Sequence, residues 1–100
     1  MDRASAVTVI RHHLTDTNEP AGGTVSGVGI DIRWQDGPLD SSGASVAGVI
    51  DVAIARLSFF QGTKLASEHN AKALEFLACA RLALIDESFD RVVVHGELYY

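Results

Sequence analysis

The chain is poor in the residues that mark most familiar chemistries. It has one cysteine, Cys79, in 100 residues. An intrachain disulfide is therefore impossible, and no Cys cluster is available for a metal. The composition fits a reducing compartment. Cys79 lies in an apolar stretch and reads as a small hydrophobe rather than a nucleophile. Basic residues are also few: 8 Lys and Arg against 13 Asp and Glu, a net charge of −5. That balance speaks against binding duplex DNA or RNA over a broad surface. A small anion is a different matter, because a pocket needs only two or three local cations. No uncharged apolar run is long enough to span a bilayer. Met1–Leu14 carries Asp2, Arg3 and Arg11 and does not read as a signal peptide. The expectation is a protein of the cytoplasm with no membrane partner.

What is present is globular. Hydrophobic residues make up 47% and charged residues 21%, which argues against disorder along the whole chain. The length suits a single domain, residues 1–100, with a modest core. Oligomerisation is a common way for so short a chain to add buried area.

The fold class expected is α+β: a short N-terminal antiparallel β-sheet followed by a long antiparallel helical hairpin. Residues 5–35 read as β. Val7 and Val9 alternate with Thr8 and Ile10, and β-branched residues dominate. Thr15–Gly23 is dense in turn formers and ends that strand. Residues 24–35 then supply a second strand, with Val28, Ile30, Ile32 and Trp34 on one face. Residues 36–43 form a linker, where Ser41 and Ser42 are candidate helix caps.

Residues 44–88 read as the hairpin. Val46, Val49, Ile50, Ala53, Ile54, Leu57 and Phe60 follow helical 3–4 spacing. The break falls near Ser67, and Leu74, Leu77, Arg81 and Ile85 mark the second helix. Its abundant alanines permit close approach of helices and suit packing against a second copy. Residues 89–100 form a tail. There Val92–Val94 prefer a strand and Gly96 interrupts whatever precedes it.

No catalytic constellation stands out. His12 and His13 are adjacent in a strand and point to opposite faces. Asp86, Glu87 and Asp90 read as a solvated acidic end. The glycines do not follow dinucleotide-binding spacing, and no Walker-type lysine is present. The expectation is a protein that is not an enzyme, with no cofactor and no metal.

A different cluster surrounds the bend of the hairpin. Phe59 and Phe60 are consecutive, so on a helix their side chains diverge by about 100°. One can pack while the other offers a flat face to a nucleobase. Lys64 is a candidate for a phosphate. Asn70 can both donate to and accept from a base edge or a ribose hydroxyl. Taken alone, these residues read more readily as core, solvated cation and helix start than as a binding site.

Two segments, residues 27–39 and 49–77, carry a resemblance. Trp34-Gln35-Asp36-Gly37-Pro38-Leu39 ends the β-region. Phe59-Phe60-Gln61 ends the first helix, Lys64 follows, and Asn70 stands early in the next helix. This order resembles the helical-hairpin family of phage proteins that includes the Thoeris anti-defence sponge and the anti-CBASS sponge. The preceding β-region makes it more similar to the anti-Thoeris branch. The resemblance covers about half the chain.

It implies a non-enzymatic role: sequestering a cyclic nucleotide immune signal without cleaving it. The implied ligands are glycocyclic ADP-ribose isomers and, at a separate oligomer-dependent site, cyclic di- or trinucleotides. The implied assembly is a dimer or hexamer. Phe60 would stack on a base and Asn70 would bond to the ligand. Arg33, Gln35 and Lys64 are further binding candidates. The chain departs from the family pattern in having Glu87 where an arginine is expected, and in its ending, VVVHGELYY. The competing reading is a small oligomeric interaction module without a nucleotide. A transcriptional regulator is disfavoured by the acidic charge and the lack of a basic recognition helix.

Overall fold

The computed structural model describes residues 7–95, with side chains over 7–86. It comprises a three-stranded antiparallel sheet followed by two helices. Two compact units divide at Ser45 and Val46, and each is described by itself.

The first unit is the sheet, in the order β1-β2-β3. Strand β1 spans Val9–Leu14, β2 Pro20–Gly27 and β3 Ile30–Arg33. The turn formers occupy only Thr15–Glu19. Asn18 takes a left-handed conformation there, and the Thr15 amide donates to the Glu19 carbonyl at 2.8 Å. The segment from Pro20 to Gly23, expected to be loop, belongs instead to β2. Gly23 lets β2 lie against β1, while Gly22 faces the Trp34 carbonyl and Asp36. Gly23 has φ +134°, and a Cβ on it would stand 2.2 Å from the Arg11 carbonyl oxygen. Only glycine fits so close an approach.

The expected second strand is in fact two. Gly27 pairs with Ile30, so Val28 and Gly29 form a two-residue turn. Gly29 supplies the positive φ, +75°, that the turn requires. Val28 therefore lies at a turn rather than on a strand face with Ile30, Ile32 and Trp34. On β1 the register shifts between His12 and Leu14, which places His13 at an irregularity.

After β3 the chain closes a loop. The Gln35 amide donates to the Ala44 carbonyl at 3.0 Å, and the Ala44 amide donates to the Arg33 carbonyl at 2.7 Å. The candidate cap Ser42 is exposed and bonds within this loop, to Asp40 and Arg33, and Ser45 is the residue directly before the first helix.

The second unit is the hairpin, α1 (Val46–Gln61) and α2 (Glu68–His95). Ile50, Ile54, Leu57 and Gln61 on α1 are half-buried, as are Leu74, Leu77, Arg81 and Leu84 on α2. These spacings are the inward stripe of each helix. Asp51 and Arg81 form an ion pair between the helices. The hairpin starts two residues later than its expected bound of 44. It also runs past 88, because α2 continues through Val92–Val94 to His95. Residues 96–100, the rest of the expected tail, lie outside the described residues. Among the described residues no helix is long and apolar enough to cross a membrane.

Candidate functional site

The bend between α1 and α2 is built by side chains bonding to backbone. Gln61 acts as a two-point clamp. Its Nε2 donates to the Ser67 carbonyl at 3.0 Å, and its Oε1 accepts from the Ser67 amide at 3.0 Å. Thr63 donates twice to the Phe60 carbonyl at the end of α1, from its hydroxyl at 2.7 Å and from its backbone amide at 2.9 Å. The Ser67 hydroxyl accepts from the Asn70 amide at 3.0 Å, the bond of an N-cap serine to the third residue of its helix. The Asn70 side chain then reaches back, its Nδ2 donating to the Leu65 carbonyl at 2.9 Å.

Phe59 and Phe60 flank this bend. Their ring centroids are 6.3 Å apart at an interplanar angle of 51°. Phe60 is half-buried, whereas Phe59 is 59% exposed. The divergence of the two rings thus leaves Phe59 as the more accessible flat surface, although the family resemblance assigns stacking to Phe60. The Arg56 guanidinium lies 5.2 Å from the Phe59 centroid and 5.1 Å from that of Phe60. Both distances lie within cation–π range. Lys64 is exposed in the connection. Phe60, Lys64 and Asn70 therefore belong to one short region of the hairpin.

Arg33 and Gln35 belong to the sheet unit and are tied into a different cluster. Its centre is Asp40. The carboxylate accepts from the Asp36 amide at 2.9 Å, from the Ser42 hydroxyl at 2.7 Å, from Arg33 Nη1 at 3.2 Å and from the Ser42 amide at 3.0 Å. The Asp36 amide and the Ser42 hydroxyl lead, with Arg33 next, in holding this carboxyl well below the usual carboxylate range. Arg33 also donates to the Ser42 hydroxyl oxygen. Gln35 donates from Nε2 to the Asp40 carbonyl at 2.8 Å, while its Oε1 is buried without a hydrogen-bond partner. The indole Nε1 of Trp34 is likewise buried and unpartnered. Arg33 and Gln35 thus have a structural occupation, closing the loop after β3.

Among the described residues no group of three His, Cys, Asp or Glu side chains could hold a metal ion. The side chains of Glu87 and Asp90 lie outside the described residues. Two contributors at the bend were missed in the sequence: Arg56 and the clamp of Gln61. The signal for Arg56 was its spacing, since it stands three and four residues before the two rings.

No protein-family model matches the chain, and no curated protein matches it either.

Proposed function

We propose that this chain binds a cyclic nucleotide immune signal and holds it uncleaved, so that a bacterial anti-phage defence in the host cytoplasm stays off. The ligand class is a glycocyclic ADP-ribose, a cyclic di- or trinucleotide, or both. One observation carries the reading. An exposed ring, Phe59, stands beside Phe60 at the hairpin bend with a guanidinium over both. Aromatic faces bind bases with little sequence preference, and a nearby cation suits the phosphates that accompany them. Lys64 and Asn70 lie in the same bend, and the amide oxygen of Asn70 carries no hydrogen bond among the described residues. The resemblance in residues 27–39 and 49–77 supplies the biological role.

The test is a thermal-shift screen against cyclic ADP-ribose isomers and cyclic di- and trinucleotides, with linear AMP and ADP-ribose as controls. A ligand that binds only the folded state raises the melting temperature. The expected result is a rise for one cyclic class that Phe59→Ala or Phe60→Ala removes, with intact nucleotide recovered after heating. No rise with any cyclic nucleotide would sink the reading.

A second reading has its own support. From Phe76 to Ile85, α2 carries a single charged residue, Arg81, and exposes Phe76, Leu82 and Ile85. Such a surface favours an oligomeric interaction module that needs no nucleotide. The same screen separates the two.

A further inference from the structure

We propose that Arg56, beside the Phe59 ring, is the principal phosphate-gripping residue of the hairpin bend, acting together with Lys64 of the connection. This rests on the nucleotide reading and specifies which part of the ligand each residue takes.

Four described cations belong to the hairpin: Arg56, Lys64, Lys72 and Arg81. Two are committed to carboxylates. Arg81 pairs with Asp51, and Lys72 pairs with Glu75 at 3.4 Å. No ion pair among the described residues engages Arg56 or Lys64. These two are the cations on either side of Phe60 in the chain, four residues before it and four after. The distribution is therefore uneven in a useful way. Positive charge is paired at Lys72 and Arg81 and left without a carboxylate partner at Arg56 and Lys64.

The start of α2 falls at the same bend and adds the partial positive charge of a helix N-terminus. Glu68 in the first turn offsets part of it. The excess must therefore come from the side chains, and Arg56 is the one within cation–π range of the two bend rings. It is held against both rings, at 5.2 and 5.1 Å. A guanidinium used through its flat face keeps its N–H donors, which lie in its plane and match two phosphate oxygens at once. Contact with the rings also removes rotamer freedom before any ligand arrives, so less entropy is lost on binding. Lysine at this position would keep the charge but not the two-point geometry. The chemical class specified is a phosphate or pyrophosphate joined to a base, with the base on the exposed Phe59 ring.

The experiment is titration calorimetry on the full chain, as wild type, Arg56→Gln and Arg56→Lys. The probes are cyclic ADP-ribose, cyclic di-AMP, ADP and adenosine. Circular dichroism verifies that each variant keeps its helices, as expected for an exposed residue without an ion pair. The expected result is a loss of about tenfold or more in affinity for the phosphorylated probes in Arg56→Gln. Arg56→Lys recovers part of it, and any adenosine binding is unchanged. If wild type binds a cyclic nucleotide and Arg56→Gln binds it equally well, the assignment is overturned while the nucleotide reading stands. If wild type binds ADP through Arg56 but neither cyclic probe, the assignment stands and the cyclic-signal reading falls. Binding of no phosphorylated probe by wild type overturns both.

Discussion

Asp40 is one carboxylate in a run of turn-forming residues, yet four donors converge on it. Those donors favour its charged form, so its carboxyl sits well below its ordinary value of 3.8. The sign of the pH dependence follows. The folded state holds the proton less tightly than the unfolded chain, so ionised Asp40 stabilises the fold above the unfolded value. That contribution erodes as pH falls below about 4 and vanishes only beneath the depressed folded value. Asp40→Asn should therefore lower the melting temperature most above pH 5, and the gap to wild type should narrow in more acidic buffer. Thermal melts at a series of pH values measure this, and a gap of constant width from pH 7 to pH 3 would contradict it. Asn70 poses a different problem, since its Nδ2 already holds the Leu65 carbonyl. Asn70→Ala should cost about 1 kcal/mol of stability in the absence of any ligand, read by urea denaturation. Unchanged stability would show that this bond contributes nothing. With the loss present, the exposed Phe59 is the cleaner probe of binding.

Strand pairing depends on Gly23 in a way that a single substitution exposes. It is the one described residue that is buried, and a Cβ there would meet the Arg11 carbonyl oxygen at 2.2 Å. Gly29 also has positive φ but has nothing within 4 Å of an added Cβ. Gly23→Ala combines backbone strain with a clash and should cost about 2–3 kcal/mol, whereas Gly29→Ala carries the strain alone, about 1 kcal/mol. Equal losses in denaturant titrations would mean that the β1–β2 approach is looser than described. The helices were legible because 3–4 spacing persists through both of them. Ser67 marked the break because it caps the second helix. The sheet was legible only in part. Apolar residues at 28, 30, 32 and 34 keep one period through the Val28-Gly29 turn, so alternation alone could not reveal a strand boundary there. Val92–Val94 prefer strands, but adding a turn to an existing helix is easier than nucleating a new element. At the bend the aromatics and Asn70 were readable from type and order. Their hydrogen bonds were not, because the Gln61 clamp and the Asn70 bond to Leu65 form only once the chain has turned. Arg33 and Gln35 are binding candidates by charge and proximity to a motif, and neither property reveals that closure of the Asp40 loop already uses them.

At the scale of the whole molecule, the distribution of apolar surface makes self-association the expected outcome. No apolar side chain among the described residues is buried. Phe76 is 65% exposed and Leu82 61%, on a stretch of α2 whose only charge, Arg81, is already paired with Asp51. A helix that is apolar on nearly all sides is ordinarily covered, and a second copy of this chain brings the same apolar surface to the contact. The interaction-module reading requires such an assembly, as does the oligomer-dependent cyclic di- or trinucleotide site that the resemblance implies. Self-association should therefore appear in sedimentation at micromolar concentration, and the melting temperature should rise with protein concentration, because the partner acts as a ligand of the folded state. Leu82→Glu distinguishes assembly from mere exposure. On a free monomer surface the substitution would change stability by no more than about 0.5 kcal/mol. At a contact between copies it places a carboxylate against apolar side chains, so the variant should sediment as a monomer with a lower, concentration-independent melting temperature. A wild type that sediments as a monomer, and whose stability Leu82→Glu leaves alone, would show that α2 keeps this surface in water and that neither reading can rest on a homo-oligomer.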